Sequence, residues 1–228
     1  MTNFLRSRGQ SLSMVVLVLA AILLVQASIS YSVTFGPLDR FVPRLNHSMA
    51  SAGWIFLRVA LFVICIVLWL LNRRRELFRA IILTNGFLTL GLFVNMLALS
   101  DTLLRFSSKA IYSLLIDVFL MAVSNILIFS IWYWIIDPPG INETQRVDEP
   151  WDFLFPQRGA SLPHYESWAP RYTDYLYLAF TTSFAFSPTD TLPLTRRAKM
   201  LMLLQSAISI ITLTGIAGSA INILAGSG

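Results

Sequence analysis

The chain has 228 residues, of which 56% are hydrophobic and 13% charged, with 17 Lys and Arg against 12 Asp and Glu and a net charge of +5. Soluble domains carry about 25% charged residues, so this composition excludes a water-facing globule, and several apolar blocks approach the roughly 20 residues that cross a bilayer. The basic residues stand at block edges, where they act as topology signals rather than as a nucleic-acid surface; the expected fold is an all-α polytopic transmembrane bundle of five or six spans, forming one integral membrane domain over 1–228.

The first span is expected over 11–31. Arg6 and Arg8 precede it and imitate a secretory leader, but four more apolar blocks follow, so the reading is an uncleaved span. The second runs over 51–71 and ends at Asn72-Arg73-Arg74-Arg75-Glu76, the densest positive cluster in the chain. The third covers 78–99 and the fourth 109–136. Asp137-Pro138-Pro139-Gly140 stops the fourth, because proline cannot continue a helix and glycine permits the turn.

Residues 137–170 form a polar loop holding Trp151-Asp152-Phe153-Leu154-Phe155, which fits either a membrane interface or a buried loop contact. Residues 172–186 are apolar but short, and read either as a short span or as a re-entrant segment. The last span is expected over 200–224. Arg6, Arg8 and the Arg73–Arg75 cluster place the N-terminus in the cytoplasm under the positive-inside bias. The same bias, applied to loops in order, puts residues 137–170 in the cytoplasm. It then leaves Arg196, Arg197 and Lys199 outside if 172–186 spans.

Ionisable groups inside a span are expensive and default to functional hypotheses. Arg58 and Asp117 each lie about seven or eight residues into spans that run in the same direction. At about 1.5 Å per residue, both fall roughly 10–12 Å below one surface, and an intramembrane ion pair is expected. It serves either helix packing or an ion relay, unless Arg58 snorkels away. Asn85, Asn95 and Asn125 are suited to interhelical hydrogen bonds. In the last span Gly215 and Ser219, and Thr214 and Gly218, have small-xxx-small spacing, which suits close helix packing or self-association. Cys65, the one cysteine, reads as a buried hydrophobe, not as a disulfide partner or metal ligand. No catalytic fingerprint occurs, so neither an enzyme, a metal nor a cofactor is expected.

The C-terminal region resembles two families. Asp137-Pro-Pro-Gly140, Asp148-Glu149-Pro150-Trp151-Asp152-Phe153, Asp174-Tyr-Leu-Tyr177 and Arg196-Arg197 follow one another as in an uncharacterised bacterial family of multi-pass membrane proteins, a domain of unknown function, over about the last 100 residues. Phe180-Thr181-Thr182, Asp190, Pro193, Thr195 and Ala198 follow the frame of the pore domain of potassium-type ion channels. The Gly-Tyr-Gly filter of those channels is absent, since Ser183 to Thr189 reads Ser-Phe-Ala-Phe-Ser-Pro-Thr. That second resemblance implies a channel-like or transport-related homo-oligomer in the cell membrane. It implies Thr181, Thr182, Ser183 and Asp190 as pore-lining residues and an inorganic cation as the permeant partner. The alternative is a non-transporting accessory or scaffold protein that holds a partner through 137–170.

Overall fold

The structure is a computed structural model, which describes residues 9–29, 47–103, 111–137, 151–159, 168–185, 190–215 and 218. Helix α1 spans Gly9–Ser28, α2 His47–Leu70, α3 Arg74–Leu103 and α4 Ile111–Ile136. A two-residue strand β1 (Phe153–Leu154) and a short turn of helix α5 (Pro156–Gly159) follow. Helix α6 spans Tyr172–Ala185, β2 Leu192–Pro193 and α7 Arg196–Ser209, which continues into a π-helical turn over Ile210–Gly215. The fold is thus mostly helical, with one antiparallel pairing of Phe153 to Pro193 and Leu154 to Leu192.

Helices α1 to α4 form an up-and-down ring in which α1 and α3 each pack against both α2 and α4. Helix α4 is the axis of the molecule, because α6 and α7 pack against its other side. Ile128, Phe129, Ile131 and Tyr133 of α4 are fully buried. The outer helix α2 instead exposes a stripe of Phe56, Val59, Val63, Val67 and Leu70. Stripes of that kind cost free energy in water but not against lipid tails.

Two helices are long and apolar enough to cross a membrane, at Arg74–Ala98 and Ile116–Ile136, with shorter apolar helices at Leu12–Ser28 and Ile55–Leu70. Helix bounds extend beyond the apolar blocks where the backbone allows it. The second expected span starts at His47 rather than at Ser51, and α7 begins at Arg196 rather than at Met200. Thr195 explains the latter, since its hydroxyl accepts from the Ala198 N–H at 3.3 Å and caps the helix before the apolar run begins. Beyond Gly215 only Gly218 of the last expected span is described, and Ser219 lies outside the described residues.

The α2–α3 turn is closed by a Schellman motif. Arg73 N–H donates to Leu68 O at 3.0 Å and Asn72 N–H to Trp69 O at 3.0 Å, with Asn72 in the left-handed region at φ 53°. That is the residue type, after glycine, that adopts this conformation most readily. The turn lies at the same end of the ring as the close of α4, because Phe78 packs at a tilt against Trp134, ring centroids 5.9 Å apart, and Asn85 Nδ2 donates to Ile128 O at 3.2 Å. The start of α1 is there too, where Leu12 lines a cavity with Arg74 and Leu77.

Candidate functional site

Two polar networks organise the C-terminal half. The first is a clasp at the close of α4, built on two carboxylates. Asp137 Oδ1 accepts from the N–H groups of Asp152 (3.0 Å) and Phe153 (3.2 Å), and Oδ2 from the Tyr175 hydroxyl at 2.6 Å. Arg158 Nη1 lies 3.0 Å from Oδ2, with both side chains almost fully buried. The same nitrogen donates to Phe153 O at 2.7 Å, and the guanidinium lies over the rings of Trp151 and Phe155. Burial pushes the Asp137 carboxyl above its ordinary value, while Arg158 and the donors of Tyr175, Phe153 and Asp152 pull the other way.

Asp152 is the second carboxylate and is itself fully buried. Arg197 holds it with a fork, Nε at 2.7 Å from Oδ1 and Nη2 at 2.6 Å from Oδ2, and Thr195 donates its hydroxyl to Oδ1. The Leu194 N–H donates to Asp152 O at 2.9 Å, and Arg197 Nη2 to Ile136 O at 3.4 Å. The aromatic residues around these groups, Phe153 and Phe155, are buried. Within the segment from Trp151 to Phe155, Asp152, Phe153 and Phe155 make a buried loop contact, while Trp151 and Leu154 are half-buried. Asp137, Asp152, Tyr175 and Arg197 meet in this one clasp.

The clasp fixes the path of the chain. Helix α6 starts beside Asp137 and runs into the bundle for 14 residues, about 21 Å at 1.5 Å per residue. By Thr191 to Leu194 the chain is back at the Asp137 end, paired to β1. Helix α7 then runs into the bundle alongside α6. Segment 172–186, read from sequence as either crossing or re-entrant, has both flanks at one end of the bundle.

The second network is a buried seam where α4, α6 and α7 meet. Ser183 and Ser209 share a hydrogen bond of 2.7 Å between their hydroxyls, and Asn125 Nδ2 donates to Ser209 Oγ at 2.8 Å. Gln205 accepts from the Tyr133 hydroxyl and donates from Nε2 to Ala179 O at 2.8 Å. Asn125 stands 11 residues before Ile136, about 17 Å from the clasp end. At that level α6 ends, and the π-helical turn begins directly after Ser209; such turns are frequent at functional positions.

The sequence-expected residues divide between these places. Thr182 and Ser183 are fully buried in the seam, where Thr182 donates to Leu178 O at 2.7 Å. Thr181 is half-buried, with its hydroxyl on Leu178 O at 3.0 Å, on the side of α6 that exposes Tyr177, Phe180 and Phe184. Asp190 is apart from them, exposed, with Thr191 Oγ1 at 3.3 Å. Arg58 and Asp117 are both buried, on helices at opposite corners of the ring. Asn125 and Asn85 make the interhelical bonds expected of them, and Cys65 is buried with Sγ 3.6 Å from Thr84 Oγ1. Gly215 closes the π-helical turn, and a Cβ added at Gly218 would meet open space.

Sequence reasoning passed over Gln205, Tyr133 and Arg158. A lone glutamine inside an apolar run was the available signal for the first, since an unpaired amide there is costly. Comparison of the chain with protein-family models, with curated proteins and with solved structures gives no match.

Proposed function

We propose that the protein is a channel-like or transport-related membrane protein with five crossings, α1 to α4 and the last helix, and a re-entrant helix α6. The return of the chain to the Asp137 end after α6 carries this reading. With that end in the cytoplasm, Arg73 to Arg75, Arg171, Arg196, Arg197 and Lys199 all fall on one side, as the positive-inside bias requires. The conflict between the arginine clusters then disappears, and the N-terminus is cytoplasmic. Re-entrant half-helices and broken helices near mid-membrane are devices of ion and solute pathways, because their ends present backbone dipoles to a permeant. The Ser183–Ser209–Asn125 seam and the π-helical turn lie at that depth.

In this reading an inorganic cation passes between protomers of a homo-oligomer. The half-exposed face of α6 with Thr181, and Asp190 at the mouth, line the path. Arg58 and Asp117 pair to brace the ring. The protein catalyses no reaction and needs no cofactor or metal.

Proteoliposomes loaded with a cation-sensitive dye test the proposal. Flux of potassium or sodium above that of empty vesicles is expected, with loss in Thr181→Val and Asp190→Asn. A membrane as tight as protein-free vesicles sinks it. The burial of Thr182 and Ser183 inside one protomer favours a second reading, a non-transporting scaffold, and that outcome would support it.

A further inference from the structure

A cavity of about 70 Å³ lies beneath the α2–α3 turn, lined by Leu12, Trp69, Asn72, Arg74 and Leu77. At about 10–15 Å³ per water, it has room for several waters or for one phosphate group. Its exposed lining is mostly polar: Leu12 and Leu77 are buried, while Trp69, Asn72 and Arg74 are exposed. Asn72, held in place by its left-handed backbone, accepts from Arg74 Nε at 3.3 Å. That bond orients the guanidinium through one edge, and the two Nη groups are the part of the fork that matches a phosphate.

Charge selects the ligand's sign. Arg73, Arg74 and Arg75 are all exposed at the amino end of α3, where the helix dipole disfavours cations. Glu76, the acidic side chain of that first turn, pairs with Arg79 at 3.5 Å. An anion relieves this arrangement. Position selects its source: the turn is at the end that carries the arginines, and Trp69 is an aromatic of the kind that settles at headgroup level. Anionic lipid surfaces attract such juxtamembrane basic clusters.

We propose that this cavity binds the phosphate headgroup of an anionic phospholipid, with Arg74 as the phosphate ligand, Asn72 as its positioning residue and Trp69 against the glycerol backbone. The proposal rests on the membrane reading above but not on transport.

The full chain in a neutral detergent is titrated with dioctanoyl-phosphatidylglycerol while thermal unfolding is followed. Ligand tenfold above its Kd raises Tm by about 3–6 °C. Dioctanoyl-phosphatidylcholine and free glycerol phosphate give less than half of that. Arg74→Gln abolishes most of the shift and Asn72→Gly part of it, whereas Arg79→Gln, outside the cavity, keeps it. An equal shift with phosphatidylcholine, a full shift with glycerol phosphate, or an unchanged response in Arg74→Gln overturns the proposal. Alkaline carbonate washing of membranes tests the underlying reading separately: release of the chain refutes membrane insertion, whatever the titration gives.

Discussion

The Tyr175 hydroxyl donates to Asp137 Oδ2 at 2.6 Å, tying the first turn of α6 to the close of α4 across 38 residues of sequence. Both residues are buried, so water does not replace the bond if it is lost. Tyr175→Phe leaves the ring packing against Phe155 in place and removes one donor from the carboxylate. A hydrogen bond to a charged group contributes about 1.5–3 kcal/mol, and thermal unfolding in detergent should fall accordingly. An unchanged Tm would mean that Arg158 and the two backbone N–H groups already satisfy Asp137.

Acid should stabilise this corner. Burial holds the Asp137 carboxyl above its ordinary value, and Arg158, Tyr175, Phe153 and Asp152 offset only part of the effect. A folded pKa above the unfolded one means that proton uptake favours the folded state. The contribution is fully present below the unfolded pKa and is lost as pH rises through the folded one. The difference in Tm between the wild type and Asp137→Asn, which cannot titrate, should therefore move in favour of the wild type from pH 7 to pH 4. Movement in the opposite direction would mean that Arg158 dominates and keeps the carboxylate an anion.

Arg197 and Asp152 make an uneven pair. The carboxylate is fully buried, while the Arg197 side chain is 60% exposed. Removing one partner of a fully buried pair costs about 3–5 kcal/mol, but solvent screens an exposed arginine and reduces this. Arg197→Ala is expected to lose about 1–3 kcal/mol. Arg197→Lys keeps the charge without the planar fork and should recover less than half of the loss. Full recovery by lysine would show that charge, not two-point geometry, holds α7 to the loop.

Sidedness can be read with cysteines at Thr173 and Leu194, both exposed and flanking the α6 hairpin, in a Cys65→Ser background. A membrane-impermeant thiol reagent should label neither in intact cells and both after permeabilisation. Labelling of Leu194→Cys alone from outside would falsify the re-entrant path, since the chain would then cross between the two sites.

The apolar blocks of α1 to α4 were legible because long uninterrupted apolar runs favour helices, and two of these helices are long and apolar enough to cross a membrane. Their ends were less so: Arg74 to Phe78 are helical although two of the first three residues are charged arginines, with the Leu77 N–H donating to Arg73 O at 2.9 Å where the helix starts. The path of 172–186 was ambiguous for a physical reason. Its length is short of a span and its destination depends on Asp152, which reads as a solvated loop residue until Arg197, 45 positions later, is brought beside it. Asn125 was readable as interhelical glue from its place in an apolar run, whereas its partner Ser209 was not, since serine is common in apolar helices at no great cost.

Gln205 joins the three helices of the seam, and its removal separates packing from hydrogen bonding. Its Oε1 accepts from Tyr133 of α4 and its Nε2 donates to Ala179 O of α6. Gln205→Leu keeps nearly the same volume but leaves a buried hydroxyl and a buried carbonyl without these partners. Bonds between membrane helices average about 0.6 kcal/mol, with a maximum near 1.7, so the loss should be about 1–3 kcal/mol for the two together. Adding Tyr133→Phe removes the hydroxyl that has lost its Gln205 acceptor and is left with the Thr182 side chain, and the double variant should be more stable than Gln205→Leu alone, because replacing both partners is nearly neutral where removing one is not. If the two losses simply add, the Tyr133–Gln205 contact contributes nothing specific. The register of α7 against α4 would then be set by apolar packing and by Ser209 with Asn125.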